Sequence, residues 1–511
     1  LFHSIILGLY PFLAAYEFNR HEIPAFEFMS AVPWALLLII LFVTVLTFLF
    51  KSLLKASVFF SVSSLLLFAY GPFAKWLRAD LNTPGSALVL LEFNQAEIFP
   101  FALLLLSLLA SYIWIKQATE LHVSNLAFFL NVLAASVLVV SVISIFAGLA
   151  RESKIKVSHS ALMNYSFKAS PGSPDIYYIV LDGYGRNDLL KELYGYDNSP
   201  FTKELDNLGF FIADKAVANY HRTNYALAAA LNGSYLEPPL IDAKNKQLMD
   251  FYLQNLIHEN SLAMILKKAG YQTVAFESGY YTTELTESDI YYPVALQNRV
   301  LATAFSYIQF PYFRELVSLE LHKLHRQRLS NIFPTAMNSS KASNSPSFIF
   351  LHVLAPHPPF VFNEDGSAFN SNKVFNLGDG DDYGGLPDYK ERYIKQLQHI
   401  SKLTLDFFKE LLERNKNAIV ILHADHGPGL HFDRESLEQT DIKERYSILS
   451  AFYFPSRNYQ MLYESISPVN SVRVMLSTVS GNEVPLLQDR SFFSTSRKPF
   501  DLTEITNIIG R

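Results

Sequence analysis

Five side chains suited to metal or phosphoryl chemistry stand at the ends of apolar runs. Asp182 follows "IYYIVL" (176–181), Asp425 and His426 follow "AIVILHA" (418–424), and His352 and His357 lie in and just after "SFIFLHVL" (347–354). A hydroxyl joins them in Thr223, which opens the Ala- and Leu-rich stretch "TNYALAAAL". Two carboxylates, an imidazole and a hydroxyl make a donor set for one divalent ion, Zn or Mn first and Mg or Ca after them, because borderline cations accept mixed N and O ligands. A hydroxyl at a helix start, where backbone N–H groups stabilise an anion, is placed to attack phosphorus while an ion lowers its pKa. Each residue alone has a plainer explanation. Asp182 before Gly183 starts a turn, Asp425-His426-Gly427 turns the chain after a strand, and Thr223 caps a helix.

The elements around these residues weigh against coincidence. The runs at 176–181, 271–276, 347–354, 418–424 and 446–454 are short and apolar, most of them on both faces, as strands covered by helices on both sides require. Between them lie helical segments such as "SLAMILKKAG" (261–270), closed by Gly270, and the long amphipathic stretch 389–415. The pattern predicts an α/β domain with a mostly parallel sheet flanked by helices, and "NSSKASNSPS" (338–347) reads as a polar loop within it. In such sheets ligands bind outside the carboxyl ends of the strands. Asp182, His352, His357, Asp425 and His426 all fall at that edge.

The 511 residues exceed a single domain of about 150 residues several times over. The 42 basic and 47 acidic residues are concentrated after residue 150. Before it, five apolar runs approach the roughly 20 residues needed to cross a bilayer: Ile5 to Tyr16, which looks clipped, Pro33 to Phe50, Ala56 to Phe73, Phe99 to Ile115 and Asn125 to Leu149. The expected organisation is a transmembrane domain of about five helices over 1–150, a linker over 151–172, a catalytic domain over 173–490 and a C-terminal tail over 491–511. Lys51, Lys55 and Lys116 occupy the two shortest connections, which the positive-inside tendency assigns to the cytoplasm. That orientation makes a multi-pass protein of the cell membrane with its catalytic domain extracytoplasmic. A net charge of -5 argues against nucleic acid as a partner, and the absence of cysteine rules out disulfides and thiolate metal ligands.

The segments "DIYYIVLDGYGR", "RTNYALAAALNG", "LKKAGYQTVAF", "FLHVLAPHPPF", "ILHADHG" and "ISPVNSVRVML" occur in an order that resembles the alkaline phosphatase and sulfatase superfamily. The resemblance spans about 173–486. It is strongest to the membrane-anchored members, such as lipoteichoic acid synthases and lipid A phosphoethanolamine transferases, which commonly carry five N-terminal spans before an extracytoplasmic catalytic domain. It implies Asp182, Asp425 and His426 as metal ligands, Thr223 as both nucleophile and ligand, and His357 in contact with the transferred group or the leaving oxygen. His352 and His431 are weaker candidates. Two departures matter. Those transferases usually have Glu where this chain has Asp182, and the formylglycine motif of classical sulfatases is absent at 223–227, "TNYAL".

The resulting expectation is a metal-dependent hydrolase or transferase acting on phosphoryl-type esters. It would move a substituted phosphoryl group from a lipid donor to an envelope glycan or lipid through Thr223. A sulfuric ester hydrolase is the alternative, and a catalytically silent, membrane-anchored binding protein is the second.

Overall fold

The computed structural model describes residues 1–20, 22–81, 95–153, 155, 160–170, 172–237, 246–294, 311–339, 345–371, 373–380 and 388–509. The chain divides into two compact units, Leu1–Ser153 with Gln297–Glu320, and Lys154–Leu296 with Leu321–Arg511.

The first 152 residues form α1 (Phe2–Phe18), α2 (Ala25–Phe50), α3 (Leu53–Leu81), α4 (Gln95–Gln117) and α5 (Glu120–Glu152). Among the described residues, four stretches are long and apolar enough to cross a membrane: Ala25–Phe50, Leu53–Ala74, Phe99–Gln117 and Glu120–Glu152. The fifth expected span is the 17-residue α1, which at 1.5 Å per residue rises about 26 Å, short of a hydrocarbon core of about 30 Å. Large side chains such as Phe48, Leu106, Phe128 and Ile143 point outward, while Ala56, Ala127 and Ala134 lie buried. Helices packed in lipid use this arrangement, since small residues let backbones approach. Lys55 Nζ donates to the carbonyls of Lys116 and Ala118, each at 2.9 Å. It thus caps the carbonyl end of α4 and joins the α2–α3 and α4–α5 connections on one face.

In the second unit a seven-stranded sheet runs in the order β2-β7-β6-β1-β5-β3-β4. The strands are β1 (Ile176–Leu181), β2 (Phe211–Ile212), β3 (Gln272–Phe276), β4 (Ile290–Tyr292), β5 (Ser347–Val353), β6 (Ile419–His423) and β7 (Ser450–Tyr453). The pairings of this sheet are parallel except at one side, where β7 runs antiparallel to both β6 and the edge strand β2. Every residue of β1, β5 and β6 is buried, because the three central strands are apolar on both faces and are covered on both. The helix Ser261–Ala269 starts where Asn260 Oδ1 accepts the Ala263 N–H at 2.8 Å, and Gly270 ends it at φ +105. Of the polar loop expected over 338–347, residues 338 and 339 instead end a helix that runs to Ser339, Ser347 opens β5, and 340–344 lie outside the described residues. The last stretch is packed: β8 (Phe492–Phe493) pairs with β9 (Thr503–Glu504). Phe492, Phe493, Phe500 and Ile505 are buried in the same core as the sheet.

Candidate metal and phosphoryl site

Strand register brings the site together. Val180 of β1 lies opposite His352 of β5 on one side and His423 of β6 on the other, so the carboxyl ends of the three parallel strands are level. Asp182 leaves β1 at this edge, and Asp425 and His426 leave β6. The backbone holds the turn: Asp182 N–H donates to Val353 O at 2.9 Å, and His357 N–H donates to Asp182 O at 3.0 Å. Gly183 has φ +72, a conformation costly for residues with a side chain, and its N–H donates to Asp425 Oδ1 at 3.1 Å. A Cβ on Gly427 would stand 2.1 Å from Glu444 O, so the bend after His426 admits only glycine.

Thr223 differs from its expected place. The helix Thr223–Asn232 is preceded by Arg222 at the cap position, with no side-chain cap. Thr223 is the first helical residue, and its hydroxyl faces the strand ends: Oγ1 lies 3.3 Å from His426 Nε2 and 3.5 Å from Asp182 Oδ2. His426 Nε2 lies 3.5 Å from Asp182 Oδ1 and 3.4 Å from Asp425 Oδ2. These spacings match the edges of about 3.4 Å between ligands held about 2.1 Å from a tetrahedral ion.

The polar atoms also fit a cation. His426 Nδ1–H donates to Gly427 O at 2.9 Å, which leaves a lone pair on Nε2 and orients the ring as metal-binding imidazoles require. Asp182 Oδ1, Asp425 Oδ2 and His352 Nε2 are buried with no hydrogen-bond partner among the described residues, a costly arrangement unless a charge compensates it. Asp182, His357 and His426 each offer a ligand atom within 4.8 Å of the others, as do Asp182, His352 and Asp425. Burial raises the Asp182 pKa, but the imidazoles of His357, His352 and His426 outweigh it and hold the carboxyl well below the usual range. Burial, with Arg445 beside it, lowers the His426 pKa more than Asp425 and Asp182 raise it. Each shift favours the form that binds metal, a carboxylate at Asp182 and a neutral imidazole at His426.

His357 Nδ1–H donates to Pro358 O, and its Nε2 points back into the site, 3.8 Å from Asp379 Oδ2. His423, beside the Asp-His pair in sequence, spends both nitrogens on structure, Nδ1 on Ala424 O and Nε2 on Tyr178 Oη. His431 is exposed and forms a separate group with Asp441 and Glu444. The Glu444 carboxylate there accepts from Tyr194 Oη, Leu430 N, His431 N and His431 Nδ1. Two residues that the sequence did not single out also reach the site. Arg445 Nη2 lies 3.2 Å from His426 Nε2, and Arg445 Nη1 is 2.6 Å from Asp379 Oδ2. Both are buried, and the one signal for Arg445 is a charged residue directly before the apolar run of β7.

A family profile described as Sulfatase matches residues 174–465. No curated protein matches. Among solved structures, the C-terminal periplasmic domain of EcEptC from Escherichia coli is 13% identical over 68% of this chain and 96% of that one, with a TM-score of 0.44. The integral membrane lipooligosaccharide phosphoethanolamine transferase A (EptA) from Neisseria meningitidis is 14% identical over 94% of this chain and 95% of that one, at 0.40. The lipoteichoic acid synthase LtaP from Listeria monocytogenes is 13% identical over 68% and 83%, at 0.39. With that profile covering more than half of its length, the chain belongs to the sulfatase family.

Proposed function

We propose that this protein is a metal-dependent phosphoryl-type transferase or hydrolase that works through Thr223 at the outer face of a membrane. Asp182, Thr223, Asp425 and His426 would hold one ion, Zn or Mn, which when bound lowers the pKa of the hydroxyl and offsets charge on the phosphoryl oxygens. The observation that carries the reading is the Thr223 hydroxyl. It is not used to cap its helix and is directed instead at Asp182 and His426.

The chain's own groups support two displacements. Thr223 Oγ1 attacks phosphorus as its proton passes to Asp182 Oδ2; the Oγ–P bond forms while the bond to the donor's alcohol oxygen breaks. His357, protonated on Nε2 opposite Asp379, gives that proton to the leaving oxygen. An acceptor alcohol of a lipid or glycan, or water, then attacks phosphorus and returns a proton to His357 Nε2, while the Oγ–P bond breaks in line and Thr223 Oγ1 takes back the proton held on Asp182 Oδ2. Helix N–H groups behind Thr223 stabilise the charge on the phosphoryl oxygens.

A lysine-rich cytoplasmic face at the α2–α3 and α4–α5 connections leaves the end of α5 on the opposite side, whatever the course of α1. The anchor then holds the site near lipid-borne donors and raises their effective concentration. Sulfate ester hydrolysis is the second reading, favoured by the family itself. Against it, a threonine ester has no geminal hydroxyl to expel sulfate.

The reading is tested by mass spectrometry of the protein after exposure to a membrane lipid extract. A phosphoryl adduct on Thr223 is expected, and lost after chelation. A parallel assay compares a chromogenic phosphodiester, a phosphate monoester and an aryl sulfate at matched metal and pH. The diester is expected to turn over fastest; an aryl sulfate faster by tenfold or more would establish the sulfatase reading instead.

A further inference from the structure

We infer that Arg445 is an anion-binding residue for the phosphoryl group, kept engaged by His426 until a metal ion takes that histidine. The inference rests on the metal-dependent phosphoryl reading above. Arg445 is 3% exposed, and its guanidinium is held from several sides. Nε donates to His221 O at 2.8 Å, and Nη1 donates to Asp379 Oδ2 at 2.6 Å and to Gly427 O at 3.2 Å. Its carbon stands 4.2 Å from the centre of the Phe432 ring. Asp379 is fixed in turn by Tyr389 Oη, which donates to Oδ1 at 2.7 Å. The hydrogen bond that differs in kind is Nη2 to His426 Nε2 at 3.2 Å.

That contact competes with a metal. His426 Nδ1–H is committed to Gly427 O, so Nε2 has a single lone pair, which serves either an N–H donor or a cation. An ion bound by His426, Asp182 and Thr223 takes the lone pair and leaves Arg445 Nη2 a buried donor without an acceptor beside a second positive charge. Both costs vanish when an anionic oxygen arrives. Thr223 Oγ1 is 3.3 Å from the same Nε2, so a phosphoryl group attached to or approaching Thr223 brings an unesterified oxygen to the freed Nη2. Asp379 is the positioning residue, since its grip on Nη1 prevents the guanidinium from swinging away. A phosphodiester fits this arrangement, with one unesterified oxygen for the ion and one for Arg445. Metal and oxyanion therefore strengthen each other's binding by the same factor.

The test uses full-length protein in detergent. Zinc affinity is measured by dye competition, and binding of inorganic phosphate by calorimetry with and without zinc. Wild type is expected to bind phosphate at least tenfold more tightly when loaded. The double variant Arg445→Gln/Asp379→Asn removes both buried charges together; it is expected to keep or improve zinc affinity and to lose at least tenfold in phosphate affinity. Arg445→Lys keeps the charge opposite Asp379 and loses the fork, which guards against a folding loss. It is expected to melt with wild type and bind phosphate at least tenfold more weakly. Zinc-loaded Arg445→Lys that melts with wild type and binds phosphate equally well overturns the inference. Zinc-dependent phosphate binding without any Thr223 adduct supports it while sinking the covalent reading alone.

Discussion

His352 Nε2 faces Asp182 Oδ2 across 3.3 Å, and the far side of the ring determines what that contact means. Thr283 Oγ1 donates to Tyr280 O at 3.0 Å, so it accepts from His352 Nδ1 at 2.7 Å. Nε2 then meets the carboxylate with its lone pair, and the contact is attractive only with a proton or a cation between the two. Thr283 thereby orients the ring that faces Asp182, on a histidine placed by the β1–β5 register.

Thr283→Val should keep the fold, since valine matches the shape of threonine, and should weaken metal binding by about 10-fold and turnover by about 10- to 100-fold, the usual cost of losing an outer hydrogen bond to a site of this kind. Metal titration separates this from a general loss of stability. Unchanged metal affinity in a folded Thr283→Val protein would show that the ring needs no second partner.

Thr223→Ala tests the nucleophile. The hydroxyl makes no cap to its own helix, so the helix loses nothing and the melting temperature should hold within the effect of about 1 kcal/mol. Turnover should fall by three orders of magnitude or more, because the substitution removes the attacking oxygen itself, the hydroxyl 3.3 Å from His426 Nε2. A folded Thr223→Ala protein with even a tenth of wild-type activity would sink the covalent route.

Much of this site was legible because its residues hang on strands with a strong local signal. The runs read at 176–181, 347–354 and 418–424 are β1, β5 and β6 within a residue at either end, and parallel register then levels Asp182, His352 and Asp425. Direction was not legible for the run 446–454. Its last part is the antiparallel β7 and its first residue ends a five-residue helix, since strand direction is decided by the connection and not by hydrophobicity. The Arg445–Asp379 pair joins positions 66 apart in the chain. Neither residue lies in a periodic segment, so nothing local marks the two as partners or as buried.

Topology gives a third expectation. If the α2–α3 and α4–α5 connections face the cytoplasm, the stretch after α5 lies outside. A protease added to intact cells, or to cells with an opened outer envelope, should clip within 151–172 and release a fragment carrying Asp182 and His426. Cleavage only after the inner membrane is breached would reverse the orientation and bring the lysine-rich connections outside.

The Asp379 carboxyl offers a test by pH. Burial raises its pKa, but His357, Arg445 and His426 outweigh that and bring it down from 3.8 to about 2. A carboxyl depressed in the folded state contributes stability above its unfolded pKa and loses it as pH falls toward the folded value. The window is therefore about pH 4 down to pH 2, and the amount is about 2 kcal/mol at about 1.4 kcal/mol per unit. Asp379→Asn removes the ionisation and leaves Arg445 short of its counter-charge, so it should be less stable than wild type at pH 6. As acid protonates Asp379, wild type approaches the variant, and the gap between their urea midpoints should narrow from pH 4 to pH 2.5. Chelator present throughout keeps metal release out of the comparison. A gap of constant size from pH 6 to pH 2.5 would mean that Asp379 is not ionised opposite Arg445, and that the guanidinium is held by its bonds to His221 O, Gly427 O and His426 Nε2.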